Sequence, residues 1–211
     1  MVSDTFIHVL PDDIEATSMA IIESELPHPL DPVLAPVIKR VIHATADFEY
    51  ADTLTFSEGV ISVALNALRQ GATIVTDTMM AQAGINQAAL RTLNCQTRCF
   101  MADPETAAQA RADGTTRAAA SMDRIAALPG PVVVAIGNAP TALVRLYDLI
   151  TAGTIHPELV IGVPVGFVNV IPAKNLLMTA PVPSIVNQGR KGGSTVAAAI
   201  VNALLYTVLV G

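Results

Sequence analysis

Tryptophan is absent from the 211 residues, aromatic side chains make up only 4% of them, and charged side chains only 14%. With 52% hydrophobic residues beside so little charge, an intrinsically disordered chain is excluded. Basic residues are also scarce, 12 against 18 acidic ones for a net charge of −6, and no run of Lys or Arg occurs. A protein that neutralises nucleic-acid phosphates needs the opposite balance, so nucleic acid is excluded as a partner. Cysteine is limited to Cys95 and Cys99, whose C-x-x-x-C spacing is neither a redox pair nor half of a zinc site, and both are expected as reduced core thiols. No basic residue precedes Lys39, whereas Asp4, Asp12, Asp13, Glu15, Glu23, Glu25 and Asp31 do, which is the wrong charge for a signal or transit peptide. A cytoplasmic protein is the expectation.

One long stretch, 192–211, carries no charge. It opens Gly-Gly-Ser-Thr like a helix start, contains Asn202, and leaves about fifteen strongly apolar positions, short of a bilayer crossing. It is expected as a buried helix and not as a membrane anchor. A chain of this length forms one domain, with roughly 70% of its extended surface buried by area scaling. The apolar excess points further, to a subunit interface.

Short β-branched runs at 72–76, 98–102, 132–136 and 159–163 read as strands covered on both faces. Between them lie helical patterns at 59–70, at 104–127 with a break near Gly114, and at 139–152, followed by a last helix from about Ser194. This alternation predicts a three-layer α/β/α domain with a mostly parallel central sheet. Helices at 12–25 and 33–47, parted by Pro27, Pro29 and Pro32, precede the sheet and are expected to cover it or reach a partner subunit.

In parallel sheets ligands bind beyond the carboxyl ends of the strands, so the strand-to-helix turns carry the chemistry. The turn at 137–140 leads into a helix with Pro140 in its first turn but lacks the dinucleotide pattern G-x-G-x-x-G. The segment 159–168 places Gly162, Pro164 and Gly166 just after a strand, suiting either a close ligand or a tight turn. At 187–199 the lysine precedes the glycine pair, which excludes a phosphate-binding Walker loop. Arg190 and Lys191 nevertheless stand beside Gly192, Gly193 and Ser194 at a helix start, either as a cradle for a carboxylate or phosphate or as a solvated basic turn.

Among four histidines, His8, His28 and His156 sit in unpromising settings. On a helix over 33–47, His43 shares a face with Lys39, Arg40 and Asp47, which is the mixed-charge setting of a general acid at neutral pH. An exposed helical histidine without chemistry is the other reading, and no second side chain stands at metal-ligand spacing from it.

Six segments, RVIHATADFEYADTLTF at 40–56, DTMMAQAGI at 77–85, DGTTRAAA at 113–120, VVVAIGNAPTAL at 132–143, VIGVPVGFVN at 160–169 and GRKGGST at 189–195, together resemble the precorrin-8 methylmutase (precorrin isomerase) family across nearly the whole chain. The resemblance implies an α/β homodimer with sites near the subunit interface and no redox cofactor or metal. It also implies a tetrapyrrole substrate, precorrin-8 or cobalt-precorrin-8, whose methyl group moves from carbon 11 to carbon 12 to give hydrogenobyrinate or cobyrinate on the route to cobalamin. By the same resemblance His43, in the basic-x-x-His block Arg40-Val41-Ile42-His43, protonates a ring nitrogen. Ser18 in Ser-x-Ala-Ile-Ile contacts substrate, and Arg40, Arg117, Arg190, Lys191 and Gly192 receive the acetate and propionate groups around the ring. Taken singly, Ser18 and Arg117 also read as ordinary helix-surface residues. A non-catalytic corrinoid carrier and an α/β enzyme for a small anionic substrate are the rival readings.

Overall fold

The computed structural model describes residues 9–210. In chain order the elements are α1 (Ile14–Glu25), α2 (Ala35–Thr45), α3 (Tyr50–Thr53), β1 (Leu54–Phe56), α4 (Val60–Arg69), β2 (Thr73–Thr76), α5 (Met79–Gly84), α6 (Gln87–Thr92), β3 (Gln96–Arg98), α7 (Pro104–Ala112), α8 (Arg117–Asp123), β4 (Val132–Ile136), α9 (Pro140–Thr151), β5 (Leu159–Gly162), α10 (Val170–Leu177), β6 (Ser184–Asn187) and α11 (Ser194–Val210). Six strands form one sheet in the order β1-β6-β5-β4-β2-β3, parallel except for β1, which runs antiparallel to β6.

Every residue of β4 and β5 is buried, because alternate side chains feed two different cores. Val133, Ala135, Leu159 and Ile161 pack with α2, α4 and α11, while Val132, Val134, Ile136 and Val160 pack with α8, α9 and α10. These two cores, one on each face, are the three-layer α/β/α architecture that the alternating pattern predicts. Helix α11 lies inside the first core, its Ala198 so close to α5 that a Cβ on Gly84 would come within 2.9 Å of the alanine methyl. Asn202 is satisfied there, accepting from the Asn86 amide at 2.8 Å and donating to the Gly84 carbonyl at 2.9 Å. Among the described residues no helix is long and apolar enough to cross a membrane.

The strand expected at 98–102 needs correction. Strand β3 ends at Arg98 on the sheet edge, and residues 100–102 turn as a 3-10 helix. Cys99 in that connection is consequently only half-buried, whereas Cys95 is buried and its thiol donates to the Leu68 carbonyl. Strands β1 and β6 were not expected. Their short sequences Leu-Thr-Phe and Ser-Ile-Val-Asn carry hydroxyl and amide groups that mask the apolar pattern.

Candidate functional site

The chain runs outward from β2 to β3, returns to β4 beside β2, and continues to β5 and β6. The reversal between β2 and β4 is where such sheets open a crevice at their carboxyl ends. Here the protein fills it with a carboxyl group of its own. Asp77, fully buried directly after β2, accepts from the amides of Gly137 at 2.9 Å and of Asn138 and Ala139 at 2.8 Å each, at the N-terminus of α9. Burial pushes its carboxyl pKa up, and the three amide donors oppose that shift. The first of the three turns is therefore closed to a substrate anion.

The turn after β6 remains open. Gly192 adopts φ +153°, and a Cβ there would stand 2.1 Å from the Val163 carbonyl oxygen, so the turn can lie against β5 only with glycine at this position. The Gly193 amide donates to Val163 at 2.9 Å and Gly166 donates to Arg190 at 3.2 Å, which ties the turns after β5 and β6 together. Gly137 completes the seam, since a Cβ on it would meet Ser194 Cα at 2.7 Å. The Arg190 guanidinium lies 5.4 Å from the centroid of Phe167. Phe167 is itself 84% exposed, beside Val168 at 78%.

Lys191 is not the free cation that the sequence suggests. Its ammonium binds Asp47 and Glu49, each at 2.7 Å, and these carboxylates raise its pKa as its hydrogen bond lowers that of Asp47. Beneath the turn the Lys174 ammonium donates to the carbonyls of Gly189 at 2.9 Å and Lys191 at 2.7 Å. Neither Lys174 nor Asp77 stands out in the sequence, because the groups that define their roles lie on other elements.

His43 sits exposed in the last turn of α2. The helical face expected to carry both His43 and Asp47 does not extend to Asp47. Ala46 takes a left-handed conformation at φ 53° and donates to the Ile42 carbonyl, ending the helix at Thr45 and sending Asp47 toward Lys191. Arg40 pairs with Glu15 and lies 5.0 Å from the Tyr206 ring centroid, and Lys39 pairs with Glu23. Ser18, one turn along α1 from Glu15, donates to the Ile14 carbonyl at 2.8 Å. A 520 Å³ groove between α1, α2 and α11 is lined by Met19, Lys39, Arg40 and Tyr206.

Arg117 opens α8 on the opposite face of the sheet and is exposed. A hollow of 310 Å³ there is lined by Thr115 and Arg117. Thr115 also borders a larger cavity of 710 Å³ that reaches Thr141, Arg145, Val168 and Asn169. Its Arg145 is bound to Asp123. Within one chain the candidates thus fall into three groups: Ser18, Arg40 and His43; Arg190, Lys191 and Gly192; and Arg117. The Lys191 bridge to Asp47 and Glu49 links the first two. Of the other histidines, His28 joins the Pro29 carbonyl to Asp52, His156 is exposed, and His8 lies outside the described residues.

Comparison with known proteins fits this arrangement of turns and helices. The model of the precorrin-8X methylmutase family matches residues 13–207. Cobalt-precorrin-8 methylmutase of Salmonella typhimurium is 42% identical over 93% of this chain and 95% of its own length, and that of Priestia megaterium is 40% identical over 93% and 88%. The crystal structure of precorrin-8X methylmutase from Thermus thermophilus superposes with a TM-score of 0.87 at 41% identity, covering 94% of this chain and 98% of the other. With the match running from α1 to within a few residues of the end of α11, the chain belongs to the precorrin-8X methylmutase family.

Proposed function

We propose that the protein is the isomerase of cobalamin biosynthesis that moves a methyl group from carbon 11 to carbon 12 of precorrin-8 or its cobalt form. The observation that carries this reading is the pairing of Arg190 with Phe167 at the carboxyl edge of the parallel strands. That edge exposes Met79 and Met80 at the start of α5 and Phe167 and Val168 after β5, with the Arg190 guanidinium against Phe167 and open backbone at Gly189 and Gly193. An apolar ring fringed by carboxylates calls for that combination of apolar surface and cationic or amide donors.

His43 acts as general acid and protonates a ring nitrogen. The proton withdraws electron density from the conjugated ring and lowers the barrier to a suprafacial methyl shift, after which it returns to the imidazole. Atoms and charge balance without a cofactor, and a positioned acid of this kind accelerates a reaction by about 10²–10⁴-fold. Ser18, Arg40, Arg117, Arg190 and the Gly192 amide contact the substrate. Lys191, held by two carboxylates, serves by fixing the turn against the segment that follows His43. Because His43 and Arg117 lie on opposite faces of one sheet, a homodimer in which the two come from different subunits is part of the proposal.

Conversion of precorrin-8 by purified protein, followed by absorbance, tests the function. The wild type is expected to yield the product spectrum, and His43→Ala to bind the corrinoid without turning it over. Binding by the wild type with no spectral change would replace the isomerase with a carrier.

A further inference from the structure

Lys174 is 1% exposed and, among the described residues, pairs with no carboxylate. A lysine is almost never enclosed in this way, since an ammonium taken out of water needs compensation. Its two acceptors are the carbonyls of Gly189 and Lys191. Asn187 Nδ2 donates to the carbonyls of Gln188 and Lys191, and the Gly166 amide donates to that of Arg190. Every carbonyl from 188 to 191 is therefore held by the protein. In a trans peptide the C=O of one residue and the N–H of the next point in opposite directions. Because Lys174 holds the carbonyls of Gly189 and Lys191, the amides of Arg190 and Gly192 face away from it, and neither has an acceptor among the described residues.

We propose that Lys174 is a positioning residue for substrate binding: by gripping the carbonyls of Gly189 and Lys191 it turns the amides of Arg190 and Gly192 outward as a carboxylate-binding pair, and places a buried positive charge behind them. The inference rests on the reading of the protein as an enzyme whose corrinoid substrate carries carboxylates. Lys191 cannot supply that charge, because Asp47 and Glu49 already engage it. Burial alone draws the Lys174 pKa down to about 8. The titratable and charged side chains on the surrounding elements are Arg145, Tyr147 and Asp148 on α9 and Arg190 and Lys191 on the turn, with none on β6. A neutral amine still has two N–H groups for its two carbonyls, so raising the pH removes the charge and leaves the grip in place.

The test compares wild type, Lys174→Met and Lys174→Gln in equilibrium binding of hydrogenobyrinate, in steady-state kinetics with precorrin-8, and in amide hydrogen exchange of 188–193. The methionine variant is expected to raise KM and the product dissociation constant about tenfold or more, the equivalent of losing one charge-assisted hydrogen bond. Its kcat stays near that of the wild type, and exchange across 188–193 quickens. Lys174→Gln, which keeps donors without charge, falls between the two. Wild-type affinity drops as the pH passes 8, and the methionine variant lacks that step. Should Lys174→Met fail to fold, the glutamine variant and the wild-type titration decide. Unchanged KM and exchange in the variants, or wild-type affinity flat from pH 7 to 10, overturns the inference alone. Wild-type protein that binds no corrinoid overturns the functional reading and this inference with it.

Discussion

Asp47 and Lys191 lie 144 positions apart in the chain and meet at 2.7 Å, fastening the segment that follows His43 to the glycine-rich turn. Both side chains are partly exposed, so the contact matters more for geometry than for stability. Lys191→Ala is therefore expected to raise KM for precorrin-8 while leaving the melting temperature nearly unchanged.

The pH dependence of that bridge follows from the depressed Asp47 pKa. A carboxylate with a lowered folded-state value contributes fully above its unfolded value, about 3.9, and loses the contribution as pH falls through the folded value. The small stability difference between wild type and Lys191→Ala should hold constant from pH 5 to 8, start to shrink only below about pH 4, and be lost as the pH falls through the lower folded-state value. A difference that fades between pH 6 and 8 would assign the bridge's role to another group.

Asp77→Asn keeps the shape of the side chain but turns one acceptor oxygen into an NH₂ group that faces amide donors. Oδ1 takes Gly137, and Oδ2 takes both Asn138 and Ala139, so either orientation of the amide leaves at least one buried donor unmet. The expected loss is about 1–3 kcal/mol in urea unfolding. For a chain of this size it lowers Tm by roughly 2–4 °C per kcal/mol.

How far this site could be read in advance depended on how local its causes are. Strands β2, β4 and β5 fall within the runs 72–76, 132–136 and 159–163, because burial on both faces leaves an uninterrupted apolar sequence. Strand β6 hides because Ser184 and Asn187 are buried yet polar: the Ser184 amide donates to Ser57 Oγ and Asn187 Oδ1 accepts from Thr53, both on distant segments. The same holds for Lys174 within Val170–Leu177, which reads as a surface lysine until the turn at 188–191 folds over it. The turn that carries Arg190 and Gly192 was legible because glycines at a helix start announce themselves locally. The partners of Lys191 and Asp77 were not, since each belongs to a contact spanning tens of residues.

Two glycines of the turn separate strain from fit. Gly189 has φ +75° and open space where a Cβ would go, so Gly189→Ala carries only the left-handed backbone cost of about 1–2 kcal/mol. Gly192→Ala adds a collision with the Val163 carbonyl and must push the turn off β5. Gly189→Ala is expected to melt lower yet retain most activity. Gly192→Ala should lose substrate binding even at temperatures where it is folded. Equal activity in the two would show that the seam between 163 and 192 does not shape the site.

His43 follows Val41 and Ile42, which pack in the core on one face of the sheet, while Arg117 precedes Ala118 in the core on the other. In the proposed homodimer one substrate takes His43 from one subunit and Arg117 from the other, so two inactive variants can rescue each other. In a mixture of His43→Ala and Arg117→Ala allowed to exchange subunits, random pairing makes half the dimers mixed, and each mixed dimer carries one site with both native residues. Activity should recover to about a quarter of the wild-type value under C2 pairing. Residues acting from the same subunit would leave every mixed site lacking one of the pair. A mixture that exchanges subunits, shown by mass spectrometry of differently tagged chains, yet stays inactive would place His43 and Arg117 in a single subunit's site.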